Sequence, residues 1–263
     1  MNKSITQVAK NLFKLRLMPC KQFLTYLCKN IFMQRYKHLF FDLDHTLWDY
    51  TSNSNQALVE MFSSLKLEST FKSCDNLISS FRRHNEWVWN EYKNDRMTKS
   101  VLRTRRFELC LEDCGVTNPE FASELNDVFL SVMPGKTALI DGAWELMEYL
   151  EAKNYKMYIV TNGFTTVQTE KLASSGLNKF ITKMFSSEQI GYNKPKPQIF
   201  EWALKSANAR KAESLMIGDE LVADVSGARK FGIDQVYYNP ACIAHTDEVT
   251  YEIRSLLELK EIL

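Results

Sequence analysis

The spacing of apolar residues divides the chain into two regimes. Leu39-Phe40-Phe41 is a short apolar run that ends in Asp42-Leu43-Asp44-His45-Thr46, and a run of that length bounded by polar residues reads as a buried strand. From about residue 55 the period lengthens. Apolar positions recur at three and four over 56–65, 75–92, 99–114 and 119–132, which predicts four helices, the last with Pro119 in its first turn where the missing N–H does no harm. After Pro134 the pattern alternates. It predicts a helix over 142–152, a strand over 156–160, and a helix over 165–175 stopped by Gly176. A short strand over 183–185 and a helix over 197–207 follow, then a strand over 214–217, a helix to Phe231 closed by Gly232, and a last strand over 235–238.

Strands alternating with helices at this spacing predict an α/β fold built on a doubly wound parallel sheet. The first strand lies before the helical block and the others after it. Residues 33–54 and 133–263 are therefore expected to form one core, and residues 55–132 an all-helical insertion into it.

Composition narrows the setting. The 263 residues are 45% hydrophobic and 25% charged, ordinary for a globular protein, and the net charge of +1 gives no global reason to expect nucleic acid. The charge is unevenly placed. Residues 1–32 carry six cations and no acid; the remainder holds 27 basic and 32 acidic residues, a net charge of −5. Lys14, Arg16, Lys21 and Lys29 interrupt every apolar stretch that a secretory signal would need. Residues 1–32 are read as a basic extension outside the fold, with Met33 as the natural start. No run approaches the roughly 20 apolar residues of a membrane span. Cys20, Cys28, Cys74, Cys110, Cys114 and Cys242 form no CxxC pair and no zinc-like cluster, which predicts reduced thiols and a cytoplasmic setting.

The carboxyl ends of parallel strands share one edge of the sheet, where ligands bind. Three predicted strands end in chemistry there: the first in Asp42 and Asp44, the second in Thr161, a later one in Asp219. Lys194 lies in the loop before a helix on the same edge, and Asp224 reaches back from the first turn after Asp219. Phosphoryl transfer through an aspartyl-phosphate uses this whole set. One carboxylate, Asp42, acts as nucleophile. A second, Asp44, protonates the leaving oxygen and then activates water. Mg²⁺ takes the oxygens of Asp42 and Asp219, with a backbone oxygen. Thr161, Lys194 and backbone N–H groups face the charge on the phosphoryl oxygens. Asp224 is read as an acid behind the metal or as a helix N-terminal acid favoured by the dipole.

In order and spacing over residues 36–240 the chain resembles the haloacid dehalogenase-like phosphatases. Asp42-Leu43-Asp44-His45-Thr46 is similar to their DxDxT motif and Thr161-Asn162-Gly163 to their threonine motif. Lys194-Pro195-Lys196-Pro197 is similar to their lysine motif, and Gly218-Asp219-Glu220-Leu221-Val222-Ala223-Asp224 to their acidic motif. The resemblance implies a Rossmann-like core under a helical cap, Asn162 beside Thr161 and Lys194 at the phosphate, and the backbone carbonyl of Asp44 as a further Mg²⁺ ligand. Thr161 through Gln168, with Trp89-Asn90-Glu91-Tyr92, Met97-Thr98 and Arg106-Phe107, further resembles the noncanonical pyrimidine nucleotidases. That implies a pyrimidine nucleoside 5′-monophosphate as substrate, in a monomer or homodimer without nucleic-acid or membrane partners. A sugar phosphate or phosphoglycolate phosphatase, a 2-haloacid dehalogenase and a phosphomutase remain as alternatives, as does a receiver that stores the phosphoryl group. Asp44 argues against the dehalogenase, and the helical insertion argues for turnover over storage. His45 is read as a loop or substrate contact and Lys196 as solvent-facing. Among Trp87, Trp89, Tyr92 and Phe107 some would stack on a base. Arg82, Arg83, Arg103, Arg105 and Arg106 read mainly as a solvated helix face, one or two of them turned to the substrate.

Overall fold

The computed structural model describes residues 35–263, so the reading of residues 1–32 and Met33 lies outside the described residues. The first strand, β1, is His38–Phe41. A run of helices follows: α1 Tyr50–Ser64, the single turn α2 Glu68–Phe71, α3 Cys74–Lys93, α4 Lys99–Glu112 and α5 Pro119–Val132. The chain then alternates through α6 Ala143–Ala152, β2 Lys156–Thr161, α7 Thr165–Ser174, β3 Ile181–Ser186, α8 Ser187–Ile190, α9 Pro197–Ala207 and β4 Ser214–Gly218. A wide π-helical turn over Leu221–Ser226 runs into α10 Gly227–Phe231, then β5 Asp234–Tyr238, β6 Tyr251–Ile253 and α11 Leu259–Ile262.

All six strands are parallel, in the order β3-β2-β1-β4-β5-β6. The sheet is doubly wound, as expected. β1 is central, paired with β2 on one side and β4 on the other. Its residues alternate between two apolar layers. Leu39 and Phe41 join one with Met157, Ile159, Leu215 and Ile217, while Phe40 joins the other with Tyr158, Val160 and Met216. Both faces of a parallel sheet must be covered, and the near-continuous apolar runs follow from that. The first layer continues without a break into the helical stretch, through Leu58 on α1, Phe81 on α3, Phe107 on α4 and Phe129 on α5. Tyr36–Leu263 is accordingly one compact unit.

The short helices α2, α8 and α11 were not expected, and three further elements differ from expectation for physical reasons. α1 begins at Tyr50, before the apolar period starts, because the Asp49 carboxylate accepts from the Ser52 backbone N–H at 2.9 Å and caps the helix. Its first turns bury Asn53 and Ser54, polar residues that hide the period. β6 was not expected at all: Tyr251-Glu252-Ile253 is a three-residue edge strand with a charge in the middle. After β4 the expected regular helix opens with π geometry, and the Asp224 carboxylate folds back to accept from the Glu220 backbone N–H at 3.1 Å.

Asn53 also ties the helical stretch to the sheet. Its amide donates to the Ala138 carbonyl at 2.8 Å and accepts from the Ala138 N–H at 2.9 Å. Ala138 lies where the chain returns to the core, so this pair closes the loop between α5 and α6 onto α1. Asn53→Ala leaves the Ala138 N–H without its partner, while the Ala138 carbonyl keeps the Asp49 N–H at 3.0 Å, and should lower unfolding free energy by about 1–3 kcal/mol, measured by urea denaturation. An unchanged midpoint would show that the pair is dispensable.

Candidate active site

β1 delivers Asp42 to the carboxyl edge, where its backbone N–H bonds the Ile217 carbonyl of β4 at 2.9 Å. The side chain meets Lys194, whose ammonium lies 2.6 Å from Asp42 Oδ1 and 2.6 Å from Asp224 Oδ1. Lys194 is buried, as is Asp224. Burial works against the Lys194 charge, but Asp224 and Asp42 outweigh it and lift its pKa above the ordinary value. Burial lifts Asp42 despite Lys194, and lifts Asp224 to about 7.

The loop after β1 locks onto the end of β4. The Thr46 hydroxyl donates to Asp219 Oδ1 at 2.9 Å and accepts from the Asp219 backbone N–H at 3.1 Å. Asp219 is pushed well above the carboxylate range, first by burial and then by Asp42 and Asp224. One carboxylate oxygen each from Asp42, Asp219 and Asp224 falls within a span of 4.8 Å. Lys194 is the cation that touches this group, and three acids against one ammonium leave a negative imbalance. All-oxygen donors with excess negative charge fit a hard divalent cation such as Mg²⁺. Asp42 and Asp219 could hold it; Asp224 is occupied by Lys194 and by the Glu220 N–H.

Asp44 turns the other way. Its two oxygens accept from Gln168 Nε2 at 2.8 Å and from the Lys171 ammonium at 2.6 Å. Lys171 is 2% exposed and lies 4.3 Å above the Trp48 ring and 5.3 Å from that of Tyr50. Burial lowers its pKa, against the pull of Asp44. Asp42 and Asp44 are thus held by separate partners while lining one cavity.

Thr161, Asn162 and His45 converge on the same place. Thr161 ends β2, its hydroxyl accepting from the Gly163 N–H at 3.0 Å and from Gln168 Nε2 at 2.8 Å. The Asn162 amide donates to the Lys194 carbonyl at 3.0 Å and accepts from the Lys194 N–H at 2.7 Å, so it clamps the lysine loop. His45, exposed and at φ 63°, lines the cavity. Lys196 pairs with Asp95 at 2.8 Å instead of pointing only to solvent. Trp89 lines the cavity; Phe107 is core, and Trp87 is an exposed surface residue. Of the arginine run, Arg82 and Arg106 line the cavity, and Arg106 is 4% exposed.

Two residues escaped the sequence reading as site groups: Gln168 and Lys171. Their signal was present, since Gln168, Lys171 and Leu172 form the buried face of α7, and a lysine in an apolar stripe needs a partner. The turn between α3 and α4 is fastened to loops of the core. Lys93 pairs with Glu220, Asp95 with Lys196, Lys99 with Glu188, and the Lys93 carbonyl accepts from Asn193. The enclosed volume is about 550 Å³.

Residues 39–237 match the family model described as haloacid dehalogenase-like hydrolase. The chain is 33% identical over 236 residues to the pyrimidine 5′-nucleotidase PynA of Streptococcus pneumoniae, covering 87% of this chain and 95% of the relative. It is 30% identical over 228 residues to the pyrimidine 5′-nucleotidase YjjG of Escherichia coli, covering 86% and 96%. A crystal structure of the HAD-hydrolase YfnB of Bacillus subtilis, bound to magnesium, superposes with a TM-score of 0.78 at 29% identity, covering 87% of this chain and 98% of that one.

Gly218 has no room for a side chain, because a Cβ there would run into the Asp224 carboxylate. Gly218→Ala should push Asp224 off Lys194, lowering the thermal midpoint by several degrees for about 1–3 kcal/mol of overpacking and reducing phosphatase turnover with it. A variant with unaltered midpoint and turnover would show that the loop yields freely.

Proposed function

The chain belongs to the haloacid dehalogenase-like hydrolases and is a phosphoric monoester hydrolase, and from that premise we propose that it hydrolyses pyrimidine nucleoside 5′-monophosphates through an aspartyl-phosphate on Asp42, with Mg²⁺. The observation that carries the chemistry is the separation of the two acids. Asp42 is gripped by Lys194 on one side and Asp44 by Gln168 and Lys171 on the other, and both face one cavity. Paired carboxylates in unlike environments suit nucleophile and acid–base roles. The substrate class is supported by the two nucleotidase relatives, by a cavity of nucleotide size, and by Tyr50, Trp89 and Phe164 in its wall.

In the first step an Asp42 oxygen attacks phosphorus and the bond to the nucleoside O5′ breaks, with Asp44 giving that oxygen its proton. In the second, Asp44 takes a proton from a water that attacks the same phosphorus. The bond to Asp42 then breaks and phosphate leaves. Lys194 holds Asp42 in place and faces the phosphoryl charge. The Thr161 hydroxyl, fixed by Gln168, and the backbone of the Asn162 turn frame the remaining oxygens. Gln168 and Lys171 fix both oxygens of Asp44 and so the direction of its proton transfer. Asp42, Asp219 and the Asp44 carbonyl would hold Mg²⁺, which supplies neutralising charge next to the phosphoryl group. The cytoplasm is the proposed setting: the described cysteines are free, and among the described residues no helix is long and apolar enough to cross a membrane.

Phosphate release should be measured on UMP, dUMP, dTMP, AMP, phosphoglycolate and sugar phosphates, with Mg²⁺ and with EDTA. Release strongest on the pyrimidine nucleotides and abolished by EDTA is expected; release confined to sugar or acid phosphates would discard the nucleotidase and keep the chemistry. Asp42→Asn should reduce turnover to background with the fold intact. Asp44→Asn should slow it by about 10²–10⁴-fold. Normal hydrolysis by folded Asp42→Asn protein would sink the mechanism.

A further inference from the structure

Arg106 is a buried cation that the chemistry above does not use. It lies on α4 with 4% of its surface exposed, yet it lines the cavity. Its guanidinium stands 5.1–5.6 Å from the rings of Phe81, Phe107 and Phe129. Nη1 donates to Asn85 Oδ1 at 3.1 Å and Nη2 to Asn126 Oδ1 at 2.9 Å. Both partners are neutral amides; among the described residues no carboxylate pairs with it. Its Nε is buried without a hydrogen-bond partner. A buried guanidinium ordinarily has an acid beside it, and a buried donor without an acceptor is unfavourable. Such a group is explained by a ligand that brings the acceptor.

Its place relative to the two acids says which part of the ligand. Lys171 touches Asp44 and lies against the Tyr50 ring, and the Tyr50 hydroxyl feels the charge of both Asp44 and Arg106. Arg106 and the amides that hold it, Asn85 on α3 and Asn126 on α5, belong to the helical insertion, whereas Asp42, Thr161 and Lys194, which face the phosphate, stand at the sheet edge. Arg106 belongs to the leaving-group end. The wall there is apolar, with Phe81, Leu130 and Met133. A second phosphate would bring about two charges to a guanidinium with two of its nitrogens already engaged. Each Nη keeps a second N–H beyond the amide it serves, and a flat ring with a carbonyl on its edge meets both the apolar wall and such a donor.

We propose that Arg106 is the specificity-determining residue that reads the carbonyl edge of the pyrimidine base, by hydrogen bonding the O2 common to uracil, thymine and cytosine. The inference rests on the nucleotidase reading and assigns the part of the substrate that the catalytic groups leave unread. The Asn85 and Asn126 amides hold the guanidinium plane still, and the three phenyl rings keep water from competing for it.

The test compares UMP with ribose 5-phosphate, which carries the same phosphate and sugar without the base, in wild-type enzyme and in Arg106→Met and Arg106→Lys. Methionine suits the aromatic surroundings, and lysine keeps the charge while losing the planar fork. The ratio of kcat/KM for UMP to that for ribose 5-phosphate should fall about 10–100-fold in Arg106→Met, as expected for one hydrogen bond to a charged group, with the loss mainly in KM. Pyrimidin-2-one riboside 5′-monophosphate, which keeps O2 and lacks the 4-substituent, should respond as UMP does. An unchanged ratio, or equal loss on both substrates, overturns the assignment and makes Arg106 a structural cation. Wild-type enzyme that turns over ribose 5-phosphate and not UMP also overturns it, while leaving the phosphatase standing. Wild-type enzyme inactive on both would instead strike the reading beneath it.

Discussion

One ammonium group holds the site together. Lys194 sits between Asp42, at the end of the central strand, and Asp224, in the turn after β4, and it contacts both at 2.6 Å. Two buried carboxylates at that distance would repel each other and resist ionisation without it. Its own loop is held by Asn162 at the end of β2, so three adjacent strands are cross-linked through a single charge. Removing the Lys194 ammonium leaves buried carboxylates uncompensated, at a cost of about 3–5 kcal/mol. Stability and chemistry here rest on the same atoms.

Close backbone approach is the second constraint, and it explains why the loops carry small residues. Asp224 can reach Lys194 only over a Gly218 without a side chain, and Gln168 can reach Thr161 and Asp44 only over Gly163. The same economy governs the β1 loop, where Thr46 donates to the Asp219 carboxylate and accepts from its backbone. The acids are thereby set at fixed distances before any ligand arrives, which is the condition for electrostatic stabilisation of a transferring phosphoryl group.

The sheet was legible because β1, β2 and β4 are buried on both faces and read as short apolar runs at α/β spacing. β6 was not, because an edge strand of three residues with Glu252 at its centre has no period to detect. Asp42, Asp44, Thr161, Lys194 and Asp219 were legible because each sits at a strand end or in a loop on one edge, and topology brings them together. Asn162 was placed in the right spot with a different contact: an amide next to a loop lysine can bond ligand or backbone, and only the fold shows that it holds Lys194. Lys171 and Arg106 were harder. A lysine on α7 and an arginine in a cationic stretch of α4 look like solvated helix faces until the rings of Trp48 and Phe129 are seen beside them.

The central position of β1 has a consequence for how the protein comes into being. Asp42 is made early, and its lysine lies 152 residues further along the chain. Until the lysine loop has been synthesised and β4 inserted on the far side of β1, the Asp42 carboxylate lacks the surroundings it has in the folded protein. Neither half of the sheet can hold a working centre by itself, since β2 and β4 flank β1 from opposite directions. Such a layout makes activity an all-or-none reporter of completed assembly: a nascent chain released before β2 is translated carries both carboxylates of the first motif and none of Gln168, Lys171 and Lys194, the side chains that grip them.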